Sequence, residues 1–163
     1  MKKQSGFTLI ELLLVLAIIG IISAIAIPAL LSQRARARDK AAIANCENSV
    51  GDLVGQWDRW KELGLSSTAI ATSLNNYLMA NHVGEKDPWQ GSLTAYTTNT
   101  AIANKATMSA FLTALKALGT VKGQAAFGYQ LPSGTTPGFI GLATTTANKV
   151  NNSTQFAKAS AIE

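Results

Sequence analysis

The chain has 163 residues, 47% of them hydrophobic, and a formal net charge of +5. That length holds one domain plus an anchor rather than two domains, and the apolar content excludes a wholly disordered chain. A single cysteine, Cys46, excludes an internal disulfide, so an exported domain would have to hold together by packing alone.

The apolar content is concentrated at the start. Lys2 and Lys3 lead into Gly6-Phe7-Thr8-Leu9-Ile10-Glu11, and twenty uncharged residues follow, Leu12 to Leu31. As a helix this run is long enough to cross a hydrocarbon core of about 30 Å. Glu11 at its mouth is the anomaly, because a charge deep in a bilayer costs about 2.5–3.5 kcal/mol on insertion scales. Two ordinary readings stand open. A secretory signal peptide would use Lys2-Lys3, the apolar run and an A-x-A site at Ala24-Ile25-Ala26, releasing a chain that starts at Ile27. Against it, the run exceeds the usual 7 to 15 residues, Glu11 interrupts its start and Pro28 lies just past the cut. A plain single-pass anchor for a binding domain is the other. Arg34, Arg36, Arg38 and Lys40 after the run outweigh Lys2 and Lys3 before it, which weakly favours a cytoplasmic C-terminal side.

A third reading is a resemblance. The short basic leader ending in Gly6, then Phe7, Thr8, Glu11, the unbroken apolar run and Pro28 resemble the N-terminus of type IV prepilins and of the related type II secretion pseudopilins. The likeness covers about the first thirty residues. It implies that a prepilin peptidase cuts between Gly6 and Phe7 on the cytoplasmic side and methylates the new amine of Phe7. It also implies an outward-facing C-terminal domain, which overrules the weak charge bias. The precursor would then sit in the bacterial inner membrane as a single-pass protein, and the pilus assembly machinery would carry it into an extracellular helical homo-oligomer. A main structural pilin is the favoured member, a major pseudopilin the alternative, and a membrane-tethered or secreted binding domain a more distant one. No enzymatic activity and no cofactor are expected.

Under that resemblance Glu11 gains a partner. Processing places an amine on Phe7, in the first helical turn, four residues from Glu11 and on the same face. An ammonium and a carboxylate that meet in low dielectric cancel much of the penalty of burying either. In staggered parallel helices, the amine of one subunit pairs with Glu11 of its neighbour. A subunit waiting in the membrane carries an imperfectly paired carboxylate, and docking improves the pairing. Phe7, Thr8 and Glu11 are therefore the expected assembly residues. Pro28 removes one backbone hydrogen bond and crowds the carbonyl of Ala24, and Gly20 softens the helix further, so Gly20 to Pro28 is the expected flexible stretch.

Beyond the run, Ile43, Cys46, Val50, Leu53, Trp57 and Trp60 follow steps of three and four, one apolar stripe on a helix whose other face carries Arg34, Arg38, Glu47, Asp58 and Glu62. One helix is predicted from Phe7 to about Leu63, with Gly64 as its C′ residue. Cys46 within the stripe reads as a small buried side chain rather than a reactive thiol.

Next, residues 66–81 read as a short helix with Ile70, Leu74, Tyr77 and Leu78 inward and Ser67 or Thr68 as cap. Lys86 to Gly91 is turn chemistry and residues 92–98 a short strand. Residues 104–119 form an amphipathic helix with Met108, Phe111, Leu112, Leu115 and Leu118 together and Gly119 as stop. Three strand-like runs, residues 124–132, 137–146 and 153–161, separated by turns, predict an antiparallel meander. The expected fold is α+β: a leader (1–6), a transmembrane and polymerisation helix (7–31), the amphipathic half of the spine (32–64) and a globular head (65–163) built on a small antiparallel sheet with extra short helices.

The remaining motifs are weaker. Asp87-Pro88-Trp89 is similar to a stretch of major pseudopilins in which a later acidic loop binds calcium. Calcium needs several oxygen ligands, yet no acid lies between Asp87 and Glu163, so no metal is expected. His82 is the only histidine, and a lone one near a turn is ordinarily solvated or capping. Asn151-Asn152-Ser153-Thr154 contains N-glycosylation sequons. The arginine cluster spreads around its helix without interleaved aromatics, which argues against nucleic acid as a partner.

Overall fold

A computed structural model describes residues 6–82, 84–103, 105–119, 121–146 and 154–163. Its elements run α1 (Leu9–Glu62), α2 (Ser67–Asn81), β1 (Tyr96–Ala101), α3 (Met108–Leu118), β2 (Ala125–Gln130), β3 (Gly138–Thr146) and β4 (Thr154–Ile162). The contacts divide the chain into two units, Met1–Arg36 and Ala37–Glu163.

The first unit holds the apolar start of α1. Its large apolar side chains are exposed: Phe7 is 81% exposed, Ile25 74% and Ile21 66%. The helix continues through Pro28 without interruption.

In the second unit α1 turns amphipathic as its spacing predicts. Cys46, Val50, Leu53 and Trp57 are buried, while Ile43 and Trp60 sit at the margins. The helix ends in a Schellman motif: Gly64, at φ 81°, donates its N–H to Lys61 O at 2.9 Å, and Leu65 donates to Trp60 O at 3.1 Å. Only a residue without a Cβ adopts that φ without strain. Two residues further on, Ser66 caps α2 by accepting from the N–H of Ala69. The cap is thus Ser66 rather than Ser67 or Thr68, because Ser66 is the last residue to keep extended dihedrals. Thr107 plays the same part for α3, which begins four residues later than its sequence pattern starts.

The sheet has the order β1-β2-β3-β4. β2, β3 and β4 form the expected antiparallel meander, closed between β2 and β3 by a turn at Ser133–Thr136. β1, however, runs parallel to β2, so the sheet is mixed rather than antiparallel. The cause is α3: a helix between two strands carries the chain back to the end where it started, and the next strand then runs the same way. β1 also lies further along than residues 92–98, because Leu93 and Ala95 are spent on backbone bonds to Asp87 and Glu85.

Alternation along the strands separates two cores. Phe127, Ile140, Leu142 and Ile162 join Leu53, Trp57, Ile70 and Leu74 from α1 and α2. The intervening Phe139 and Ala143 meet Phe111 and Leu115 of α3. The sheet is therefore covered on both faces, which is why β3 is buried along its whole length. α3 approaches over small residues. A Cβ on Gly141 would stand 2.6 Å from Leu115 Cδ2, so glycine there sets how closely the helix docks.

Candidate functional site

The residues singled out at the N-terminus lie in the first unit. Gly6, Phe7 and Thr8 precede the helix, and Leu9 opens it. Phe7 is therefore outside the first turn in the uncut chain, a shift of two residues from the expected start.

Thr8 and Glu11 close on each other. The Thr8 N–H donates to Glu11 Oε2 at 2.9 Å, and the Thr8 hydroxyl donates to the same oxygen at 2.7 Å. In return the Glu11 N–H reaches Thr8 Oγ1 at 3.4 Å, and the Leu12 N–H reaches the Thr8 carbonyl at 3.3 Å. This is a capping box, Thr-x-x-Glu, in which two otherwise orphaned donors at the helix start are satisfied reciprocally. The acid also sits at the positive end of the helix dipole. In the uncut chain Glu11 thus has local partners, all of them on Thr8. The Thr-x-x-Glu spacing is present in the sequence, but spacing alone does not show that the two side chains close on each other.

Gly20 and Pro28 both lie inside α1, which stays helical through them. They are separate from the Thr8–Glu11 box along the helix.

A second group, not anticipated from sequence, lies where the second unit begins. Asp39 is buried on α1, and its Oδ1 accepts from Trp89 Nε1 at 3.0 Å. Trp89 is held further by its N–H bond to Asp87 Oδ1 at 2.7 Å. The ammonium of Lys122 lies 3.3 Å from the Trp89 ring centroid and the Arg38 guanidinium 5.4 Å from it, two cation–π contacts. The Asp-Pro-Trp turn is thus a clasp that fixes the loop after α2 onto α1 and the segment before β2. Among the described residues no group of acidic, histidine or cysteine side chains is arranged to hold a metal. The signal for Asp39 was present: Asp39, Ala42 and Cys46 extend the stripe backward at steps of three and four, but a carboxylate reads as solvent-facing.

His82 caps α2 through its N–H to Leu78 O, and its Nδ1 pairs with Glu85 Oε1 at 2.6 Å. Cys46 is buried, and burial pushes its thiol up to about 12. It stays protonated at neutral pH and is a packing residue, as its spacing predicts. The sequons at Asn151 and Asn152 lie outside the described residues.

Comparison with known proteins completes the site. The family described as the prokaryotic N-terminal methylation motif matches residues 1–27, the stretch that contains the capping box. The type IV wide pilus major component PilA4 of Thermus thermophilus is 35% identical over 125 residues, covering 63% of this chain and 93% of that protein. The type IV major pilin protein PilE1 of Neisseria gonorrhoeae is 32% identical over 105 residues, covering 63% of this chain but only 62% of its own length. A fimbrial protein of Pseudomonas aeruginosa is 54% identical over 44 residues, 27% of this chain and 29% of that one. No solved structure gives a match. A methylation motif at the N-terminus, a long helix that starts exposed and ends in a head core, and a relative matched over nearly its whole length lead to one conclusion: this chain belongs to the type IV pilin family.

Proposed function

We propose that the chain is the structural subunit of a type IV pilus, assembled through Phe7 to Leu31. The observation that carries this reading is the first half of α1, a span of high hydropathy with no part buried within the chain. Fully covering one Leu or Ile side chain is worth about 1.5–3 kcal/mol, and this helix presents more than a dozen of them. Such a surface needs lipid before assembly and other copies of itself afterwards.

In this reading a prepilin peptidase removes residues 1–6 at the cytoplasmic face of the inner membrane and methylates Phe7. The freed amine then competes with Thr8 for Glu11. Docking transfers the carboxylate from its internal box to a neighbour's ammonium, a charged partner that Thr8 cannot equal. The exchange favours the axial register in which every Glu11 meets an amine. Pro28 and Gly20 allow the helix to bend or unwind locally as the copies pack. The partners are further copies of the chain, the peptidase and the assembly machinery. The named relatives are structural pilins, and catalysis has no part in the proposal.

N-terminal sequencing and intact mass of chains sheared from the cell surface test it. Chains starting at Phe7 with one added methyl group, in material that shows filaments by electron microscopy, are expected. A start at Ile27 would instead mark a secreted domain, and a start at Met1 a plain anchor.

A further inference from the structure

Two stretches of the head differ in charge. From Ala37 to Gly91, the stretch that carries the rest of α1 and α2, there are seven acids against Arg38, Lys40, Arg59, Lys61 and Lys86. From Ser92 to Ile162 there is no acid at all, and Lys105, Lys116, Lys122, Lys149 and Lys158 stand unopposed. Lys122 is committed to the Trp89 ring, whereas Lys116 on α3 and Lys158 on β4 are exposed and Lys105 is half-buried.

On the acidic side there is a polar cavity of about 210 Å³, lined by Asn45, Asn48, Asp52, His82, Glu85 and Tyr96. Its floor is fixed. The hydroxyls of Tyr96 and buried Ser49 lie 2.7 Å apart, and burial pushes the Tyr96 phenol up to about 12, so it remains a neutral hydrogen-bonding group. The Tyr77 hydroxyl donates to Asp52 Oδ1 at 3.3 Å, steadying that carboxylate at the rim. The His82 ring packs 4.6 Å from Tyr96, and its Nε2 is buried with no partner among the described residues. Two carboxylates, two carboxamides and a hydroxyl pair form an acceptor-rich pocket, the chemistry that suits a primary ammonium.

We propose that this pocket receives a lysine amine from the acid-free segment of a second copy: Lys105, Lys116 or Lys158. A pocket on one subunit and a lysine elsewhere on the next make a heterologous contact, and a heterologous contact that does not close into a ring grows as an open helix. An ammonium between Asp52 and Glu85 would therefore add a head-to-head contact to the polymer formed by the apolar helices. The proposal rests on the filament reading above, yet it can fail independently of it.

Zero-length carbodiimide coupling joins a carboxylate to an amine only when the two touch. Intact sheared filaments treated this way should give a covalent dimer, with peptides linking Asp52 or Glu85 to Lys105, Lys116 or Lys158. Detergent-solubilised single chains should lack that dimer. In filaments of the Asp52→Asn, Glu85→Gln chain the same linked peptides should be lost, while the protease resistance of the head stays unchanged. Filaments whose Asp52 and Glu85 link to nothing, or only to lysines that precede Ser92, would overturn the pocket assignment and leave the filament reading standing. An absence of filaments would instead overturn the filament reading.

Discussion

The two halves of α1 contain similar apolar side chains and treat them in opposite ways. From Leu12 to Leu31 the helix is apolar all round, and the large apolar residues from Phe7 onward lie 45–81% exposed. From Ala42 to Trp57 the apolar residues are confined to one stripe, and Cys46, Leu53 and Trp57 are buried to within 1%. A stripe can be satisfied by one sheet, whereas an all-round apolar surface needs cover on every side. The second half therefore belongs to the fold of the single chain, and the first half belongs to the environment that surrounds it. The polar residues follow the same division. Glu11 is held by bonds to a residue three positions away, whereas Asp39 is locked to Trp89 fifty residues away.

The largest effect expected from this contrast is on Glu11. Glu11→Ala should leave membrane insertion and processing intact but nearly abolish filaments, because a buried amine left without its partner costs about 3–5 kcal/mol per subunit. Filament yield by shearing and quantitative blotting measures it, and a normal yield would remove Glu11 from the assembly account. A paired comparison in the apolar residues comes next. Phe127→Ala in the head core should destabilise the full-length chain in detergent by about 3–5 kcal/mol. Leu16→Ala, which is 57% exposed in the spine, should leave that unfolding transition in place and weaken only the polymer. If both shift the transition alike, the division of α1 into two environments is wrong.

The smallest effect is on pH. Burial raises the Cys46 thiol from 9.0 to about 12 and the Tyr96 phenol from 10.0 to about 12. Both groups are neutral when protonated, so the folded head holds more protons than the unfolded chain in this range. Stability is then full below pH 9 and falls as the pH rises from 9 toward 12. Thermal unfolding across that window should show a declining midpoint, and Cys46→Ala should remove the part of the decline that begins near pH 9.

Much of this architecture was legible from residue spacing. The stripe from Cys46 to Trp57, the glycine stop at Gly64, α2 and the three-strand meander all follow from local pattern, because each is set by residues close in sequence. The parallel pairing of β1 with β2 was not, since strand direction depends on what the intervening α3 does in space. The Asp39–Trp89 clasp and the cavity at Asp52 and Glu85 were hidden for a related reason. Their members come from positions 38 to 122, and polar side chains read singly look like solvent-facing ones. At the N-terminus the opposite happened: Thr8 and Glu11 were recognised, but only their geometry showed that they bond to one another.

A reconstruction of the sheared filament at side-chain resolution tests the central claim directly. Phe7 to Leu31 should form the filament core, with Glu11 detached from Thr8 and lying within about 4 Å of the Phe7 nitrogen of a neighbouring copy. A filament whose core is built from the heads, or in which Glu11 keeps its bonds to Thr8 and meets no amine, would contradict the account.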